Sequence, residues 1–111
     1  MRQIEKEMNR AFFNGYDFHK SNTSVETDVT TWDYNNNSWI KFAAVVRLHG
    51  NLIAAKDYDG NLYYSNAGWS SATTRSRLSA LGAPCQIKNF QMIDTRTGEP
   101  FPRVLTKMYF N

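Results

Sequence analysis

The stretch WIKFAAVVRLHGNLIAAKDYDGNLYYSNA, residues 39–67, decides the fold of this 111-residue chain. It contains three runs rich in β-forming residues, at 39–49, 52–58 and 61–67, separated by Gly50-Asn51 and Asp59-Gly60. A glycine-containing pair between such runs is a strong hairpin signal, because the turn positions need positive φ. The stretch therefore predicts a three-stranded antiparallel meander.

The two turns also predict how the strands align. Two-residue loops place Leu48 opposite Ile53 and Val46 opposite Ala55. One face of the meander then collects side chains that are almost all apolar: Ile40, Phe42, Ala44, Val46, Leu48, Ile53, Ala55, Leu62 and Tyr64. A slip of one residue would move each strand's set to the other face, so the pattern favours this register.

The segments on either side complete the predicted architecture. Apolar periodicity, turn residues and caps predict two helices and three more strands: helices over 2–13 and 73–81, and strands over 23–32, 85–94 and 104–110. An antiparallel sheet with both helices on its apolar face buries a core suited to this chain length. We therefore expect one α+β domain over residues 1–111, with five to six strands and two helices.

Composition narrows the class of protein. The net charge of +3 is mildly basic, and the single cysteine, Cys85, permits no internal disulfide. No apolar run approaches the roughly 18 residues of a membrane span, and the charged N-terminus is unlike a signal peptide. We expect a cytoplasmic protein with no membrane contact, no cofactor and no metal.

Catalytic signatures are weak in this sequence. His19 and His49 are the only histidines, and neither has a serine or cysteine in a recognisable nucleophile motif. The sequence also carries no phosphate-binding loop and no dinucleotide fingerprint. We therefore expect a protein that is not an enzyme.

The other face of the meander is the first candidate binding surface. In the predicted register it carries cations among aromatic rings, and the partner-binding residues predicted on it are Trp39, Lys41, Arg47, Lys56, Tyr58 and Tyr63. Such a mixture suits single-stranded nucleic acid, through stacking and phosphate contact, and equally suits a protein partner. An ordinary solvated sheet face is the third interpretation.

The second candidate surface lies at the start of the second predicted helix. Thr73, Thr74, Arg75 and Arg77 stand where free backbone N–H groups and the helix dipole favour an anion. Helix capping by the Ser and Thr residues is the alternative interpretation. Because an arginine in the first turn opposes the dipole, an anionic neighbour would relieve it.

Part of the sequence resembles a known group of proteins. LHGNLI at 48–53, GW at 68–69 and TTRSRLSAL at 73–81 are similar to a hairpin and the segment after it in small accessory proteins of tailed phages. The resemblance covers about residues 39–82. It implies an accessory phage protein, a class in which host-directed inhibitors, including anti-CRISPR and other counter-defence proteins, are frequent.

These observations lead to one functional prediction and two alternatives. The prediction is a non-catalytic phage-type binding protein that inhibits a host or defence protein by surface contact. An inhibitor that mimics DNA should be acidic, and this chain is basic. The alternatives are a nucleic-acid-binding module that uses the same sheet face, and a binder of a small phosphate-bearing signal molecule at the second helix.

Overall fold

The computed structural model describes residues 1–110 and contains two helices and eight strands. In chain order they are α1 (Gln3–Asn14), β1 (Phe18–Lys20), β2 (Thr23–Asp33), β3 (Ser38–Leu48), β4 (Asn51–Lys56), β5 (Leu62–Tyr64), α2 (Ala72–Ala80), β6 (Cys85–Lys88), β7 (Gln91–Asp94) and β8 (Thr106–Met108). Six strands form one antiparallel sheet in the order β1-β2-β3-β4-β5-β8, and β6 pairs with β7 in a separate hairpin. The predicted α+β class is confirmed.

Both helices pack on one face of the large sheet, as predicted. Helix α1 ends at Gly15, whose φ of 76° lets its N–H bond to the carbonyl of Ala11 at 2.9 Å. Helix α2 begins after Ser71, whose hydroxyl accepts the N–H of Thr74 at 3.1 Å. Within residues 1–110, neither helix is long and apolar enough to cross a membrane.

The main core lies between the helices and this face of the sheet. Large, fully buried side chains come from both layers and include Met8, Phe12, Val46, Ile53, Tyr64, Leu78 and Leu81. Tyr64 keeps its hydroxyl satisfied by donating to the carbonyl of Leu81 at 2.7 Å. Burial raises the pKa of this phenol to about 12.

The predicted register of the meander is wrong. The turn after β3 is His49-Gly50, with φ of 52° and 82°, so Leu48 lies opposite Asn51 rather than Ile53. Val46 lies opposite Ala54, because an irregularity between Val46 and Arg47 leaves Ile53 as an extra residue in β4. Further along, Ala54 rather than Ala55 lies opposite Tyr64. The second turn is also longer than predicted, and β5 begins only at Leu62.

The long hairpin of β2 and β3 bends near Asp28, which has φ of 54° and is skipped in the pairing of the two strands. Beyond the bend, Ile40 and Phe42 face a second apolar cluster instead of the main core. This cluster, on the reverse face of the sheet, comprises Phe42, Val45, Ala55 and Tyr63, with Val29, Ile40, Leu52 and Leu105 packed around it. At the hairpin tip, Asn35 donates to the carbonyl of Leu105 at 3.1 Å. The distal half of the hairpin therefore folds over the reverse face.

Two other predicted strands need correction, and one strand was missed. Residues 85–94 form a hairpin rather than one strand, because Asn89 and Phe90 adopt φ of 50° and 63° and reverse the chain. The strand predicted over 104–110 is only β8, which is an edge of the large sheet. The short edge strand β1 was not predicted at all. Beside it, Asp17 holds β2 by accepting the Thr27 N–H at 3.0 Å.

Candidate interaction surface

The outer side of the distal β2–β3 hairpin carries a pair of tryptophans, of which Trp39 is exposed and Trp32 is half-buried. Trp32 and Trp39 are direct cross-strand partners, and their rings meet edge to face with centroids 5.2 Å apart. Trp39 is 71% exposed, and the next pair along the strands on this side is Thr30 with Lys41, both exposed. These four residues together with Tyr58 are the hairpin face.

Tyr58 joins the hairpin face through the bend in β2. Its hydroxyl donates to the carboxylate of Asp28, two residues before Thr30, and its ring stays 59% exposed. The hydrogen bond to Asp28 raises the pKa of Tyr58. The hairpin face is therefore aromatic, and Lys41 is the one cation among its five residues.

The other three predicted partner-binding residues have different surroundings. Arg47 pairs with Glu26 at 2.6 Å, and Lys56 donates to the carbonyl of Phe13 at 3.2 Å, at the C-terminal end of α1. Tyr63 is buried in the reverse-face cluster, where its ring meets Phe42 at 4.9 Å. Burial and nearby Asp57 raise the pKa of this phenol.

The prediction of one open sheet face that carries all six residues is therefore wrong. The bend in β2 and β3 covers that face, and only Trp39, Lys41 and Tyr58 remain together in solvent. Their role in binding stays a prediction. Sequence reasoning missed Trp32, although its spacing from Trp39 across the Asn-rich loop was a usable signal for a cross-strand pair.

The four residues of the predicted anion site do not form one cluster. Thr74 belongs to the cap of α2, since its hydroxyl lies 2.8 Å from that of Ser71. Arg77 is buried and donates to Glu5 of α1 at 2.8 Å and to Thr23 of β2 at 3.1 Å. The prediction that Arg77 binds an anionic ligand is wrong, because this guanidinium is already paired inside the protein.

Glu5 is the partner that holds Arg77 in place. Its carboxylate also accepts the hydroxyl of Ser76 at 2.6 Å. Burial acts to raise the pKa of Glu5, but the hydrogen bonds from Ser76 and Arg77 outweigh it and hold the pKa below its ordinary value. The buried charge pair therefore connects α1, α2 and β2.

A groove of about 570 Å³ lies between the β3–β4 turn and the start of α2. Leu48, Ile53 and Trp69 provide apolar walls, and Thr73 and Thr74 lie at its polar end. Arg75 and Arg77 are not among its lining residues. The groove thus has the shape of a ligand site but a mainly apolar lining, which fits a phosphate poorly.

Two further features of the described residues concern metal binding and the reactivity of the Cys85 thiol. In the part of the chain that the structure describes, residues 1–110, no group of three His, Cys, Asp or Glu side chains lies close enough to hold a metal ion. Cys85 is buried, and burial raises the pKa of its thiol. A thiol with a raised pKa is a weak nucleophile at neutral pH.

Comparison with known proteins gives the chain a family. Searches of curated proteins and of solved structures found no significant match. A family model described as the Kyanoviridae Gp96 protein matches residues 1–110, nearly the whole sequence. The chain therefore belongs to the Kyanoviridae Gp96 protein family, a family of phage proteins.

Proposed function

We propose that this phage protein is a non-catalytic binding protein that occludes a host or defence protein, and that the hairpin face is its contact surface. The observation that supports this proposal is the tryptophan pair, with Trp39 exposed and Trp32 half-buried, on the same hairpin as Lys41. Tryptophan and tyrosine are the residue types that most often dominate the energy of protein interfaces. Their rings offer a large contact area at a small cost in conformational entropy.

The position of these rings supports the proposal. The inner side of the hairpin already packs on the reverse-face cluster through Ile40 and Phe42, so the outer tryptophan pair is not needed to fill that core. The antiparallel pairing of β2 and β3 holds Trp32 and Trp39 on a regular ladder. A surface that is rigid before binding loses less entropy when a partner docks.

Charge favours a protein over a nucleic acid on this face. Lys41 is its one cation, and the carboxylate of Asp28 is bonded to Tyr58 within it. Arg47 and Lys56, which the sequence interpretation added to the same face, are engaged elsewhere. A face with one cation and one adjacent anion gives a polyanion little electrostatic attraction.

The proposal excludes a catalytic role on the groups available. His49 is exposed at the β3–β4 turn, and the Cys85 thiol is buried with a raised pKa. Within residues 1–110 the Cys85 thiol bonds to the Ser79 hydroxyl and the Arg75 carbonyl, and neither group is a base that activates a nucleophile. Inhibition by steric occlusion needs neither group.

Affinity capture followed by direct binding tests the proposal. The immobilised protein is incubated with nuclease-treated host lysate, in parallel with Trp39→Ser and with Trp69→Ser as the matched control. Trp69 is also an exposed tryptophan, at 60%, but it lies in the groove and outside the hairpin face. We expect one host protein to bind the wild type and Trp69→Ser and to be lost with Trp39→Ser.

The purified partner then gives a quantitative result. Loss of a hot-spot tryptophan costs about 2 kcal/mol or more, so Trp39→Ser should weaken the Kd at least about 30-fold. The Kd of the wild type should change little between 50 and 200 mM salt. Equal binding by both variants, or capture that depends on nucleic acid, would contradict the proposal.

A further inference from the structure

The outer face of α1 carries three exposed cations, Arg2, Lys6 and Arg10. The chain as a whole has 13 Lys and Arg against 10 Asp and Glu. The acidic residues of the same segment are Glu5, which is buried, and Glu7, which is half-buried. The exposed side of the helix is therefore positively charged.

The three cations form a regular row, which we call the α1 stripe. Positions four apart on a helix lie on the same side, about 6 Å apart along the axis, so the row extends over about 12 Å. The other exposed residues of α1 are Gln3, Phe13 and Asn14, and none of them is acidic. Phe13 lies at the end of the stripe and is 46% exposed.

Nothing in the described residues neutralises the α1 stripe. The acidic residues of α1 are used elsewhere: Glu5 pairs with buried Arg77, and Glu7 pairs with Lys20 at 3.4 Å. The ion pairs found within residues 1–110 include none of the three stripe cations. Arg2 stands at the N-cap, where a positive charge opposes the helix dipole. The stripe thus works against the stability of its own helix.

We propose that the α1 stripe binds the sugar–phosphate backbone of nucleic acid. Cations at a regular spacing match a polymer with a regular repeat of negative charge, and two of the three are arginines, which favour phosphate. Gln3 and Asn14 add hydrogen-bonding groups beside the row, and Phe13 offers a ring on which an unpaired base can stack. This contact is separate from the hairpin face and does not depend on it.

An anionic membrane is a poorer match for the same face. Amphipathic helices that bind membranes bury their apolar side in the lipid, whereas the apolar side of α1, with Met8, Ala11 and Phe12, is buried in the core. Phe13 is the one large apolar side chain that the outer face of α1 offers. Electrostatic attraction to anionic lipid would still be possible without insertion of the helix. Binding to a membrane is therefore the alternative that the experiment tests.

The experiment measures the affinity of the full chain for fluorescent 20-nucleotide DNA, single-stranded and duplex, by anisotropy from 50 to 200 mM salt. The test variant is Arg2→Gln with Lys6→Gln and Arg10→Gln. The matched control, Lys88→Gln with Arg103→Gln and Lys107→Gln, removes the same net charge from positions outside both the α1 stripe and the hairpin face. Circular dichroism checks that both variants keep their helices.

Three phosphate contacts predict a defined salt dependence. Each phosphate contact lowers the logarithm of the affinity by about 0.7 to 0.9 for a tenfold rise in salt concentration. Three contacts should therefore lower the wild-type affinity roughly 20- to 40-fold between 50 and 200 mM salt. The control should keep this slope, and the stripe variant should lose it. Equal loss in both triple variants, no binding at 50 mM salt, or binding to phosphatidylserine vesicles in place of DNA would overturn the proposal.

Discussion

At the scale of single residues, the buried pair of Glu5 and Arg77 is the most consequential interaction of the protein. It lies among three elements, and both side chains are about 95% buried. Replacement of Arg77 by Met removes the cation and leaves the Glu5 carboxylate uncompensated in the interior. Breaking a buried pair in this way costs about 3–5 kcal/mol.

The measurement for Arg77→Met is the free energy of unfolding in urea. Arg75→Met is the matched control, since Arg75 is partly exposed on the same helix and its guanidinium makes a long, 3.5 Å bond to Ser79. We expect the control to stay within about 0.5 kcal/mol of the wild type. A loss of less than 1 kcal/mol in Arg77→Met would show that the pair contributes little to stability.

Phe90 presents the opposite case, a side chain that weakens the fold. It is 97% exposed at the tip of the β6–β7 hairpin and adopts φ of 63°, which glycine accepts and other residues resist. Phe90→Gly should therefore raise the free energy of unfolding by about 0.5–1 kcal/mol. Phe90→Ala keeps a Cβ and its strain, so thermal unfolding of this variant should show no such gain.

At the scale of elements, the bend in the β2–β3 hairpin determines where the tryptophan pair lies. Asp28 makes the bend with φ of 54°, a conformation that Asp tolerates and that β-branched residues strongly resist. Asp28→Val should lower the free energy of unfolding by about 1–3 kcal/mol and change the near-ultraviolet circular dichroism of the tryptophans. Asp28→Gly accepts the same φ, so it should keep the native spectrum although it loses the Tyr58 bond.

The helices and the sheet type could be predicted from the sequence, because their signals are local. Apolar spacing predicted α1, which the structure places at Gln3–Asn14, and capping residues predicted α2, which begins after Ser71. The register of the strands could not be predicted from the sequence. Both His49-Gly50 and Gly50-Asn51 fit a tight turn, and only packing decides between them. The alternation of apolar and polar residues along β4 does not reveal that Ile53 is an extra residue in this strand.

Only part of the candidate site could be predicted, because the rest depends on contacts between residues that are distant in the sequence. Trp39, Lys41 and Tyr58 are exposed, whereas the other three predicted residues have partners far away in the sequence: Arg47 contacts Glu26, Lys56 contacts Phe13 and Tyr63 contacts Phe42. Lys56, for example, reaches Phe13, which is 43 positions earlier in the chain. Composition predicted the net charge of +3, whereas the burial of Glu5 beside the exposed cations of α1 emerges only from the folded chain.

At the scale of the whole molecule, the protonation equilibria predict a stability plateau between about pH 5 and pH 9. The pKa values of Glu5, Asp57 and Asp94 are lowered by folding, so their stabilisation is present above their ordinary values of 4.5, 3.8 and 3.8. This stabilisation is lost as the pH falls through the pKa values that the three carboxylates have in the folded protein. Burial raises the pKa of Tyr64 and Cys85, whose ordinary values are 10.0 and 9.0. Their stabilisation is complete below those values and is lost as the pH rises.

Urea denaturation at intervals from pH 2 to pH 11.5 measures this profile. Tyr64→Phe identifies the main cause of the alkaline limb, since it removes the phenol whose pKa is about 12 in the folded protein. The variant loses the bond to Leu81, worth about 1 kcal/mol, so its plateau should be lower. Its alkaline decline should be shallower than that of the wild type, while its acid limb keeps the same shape. An unchanged alkaline slope in Tyr64→Phe would mean that another group, with Cys85 the first to examine, controls unfolding at high pH.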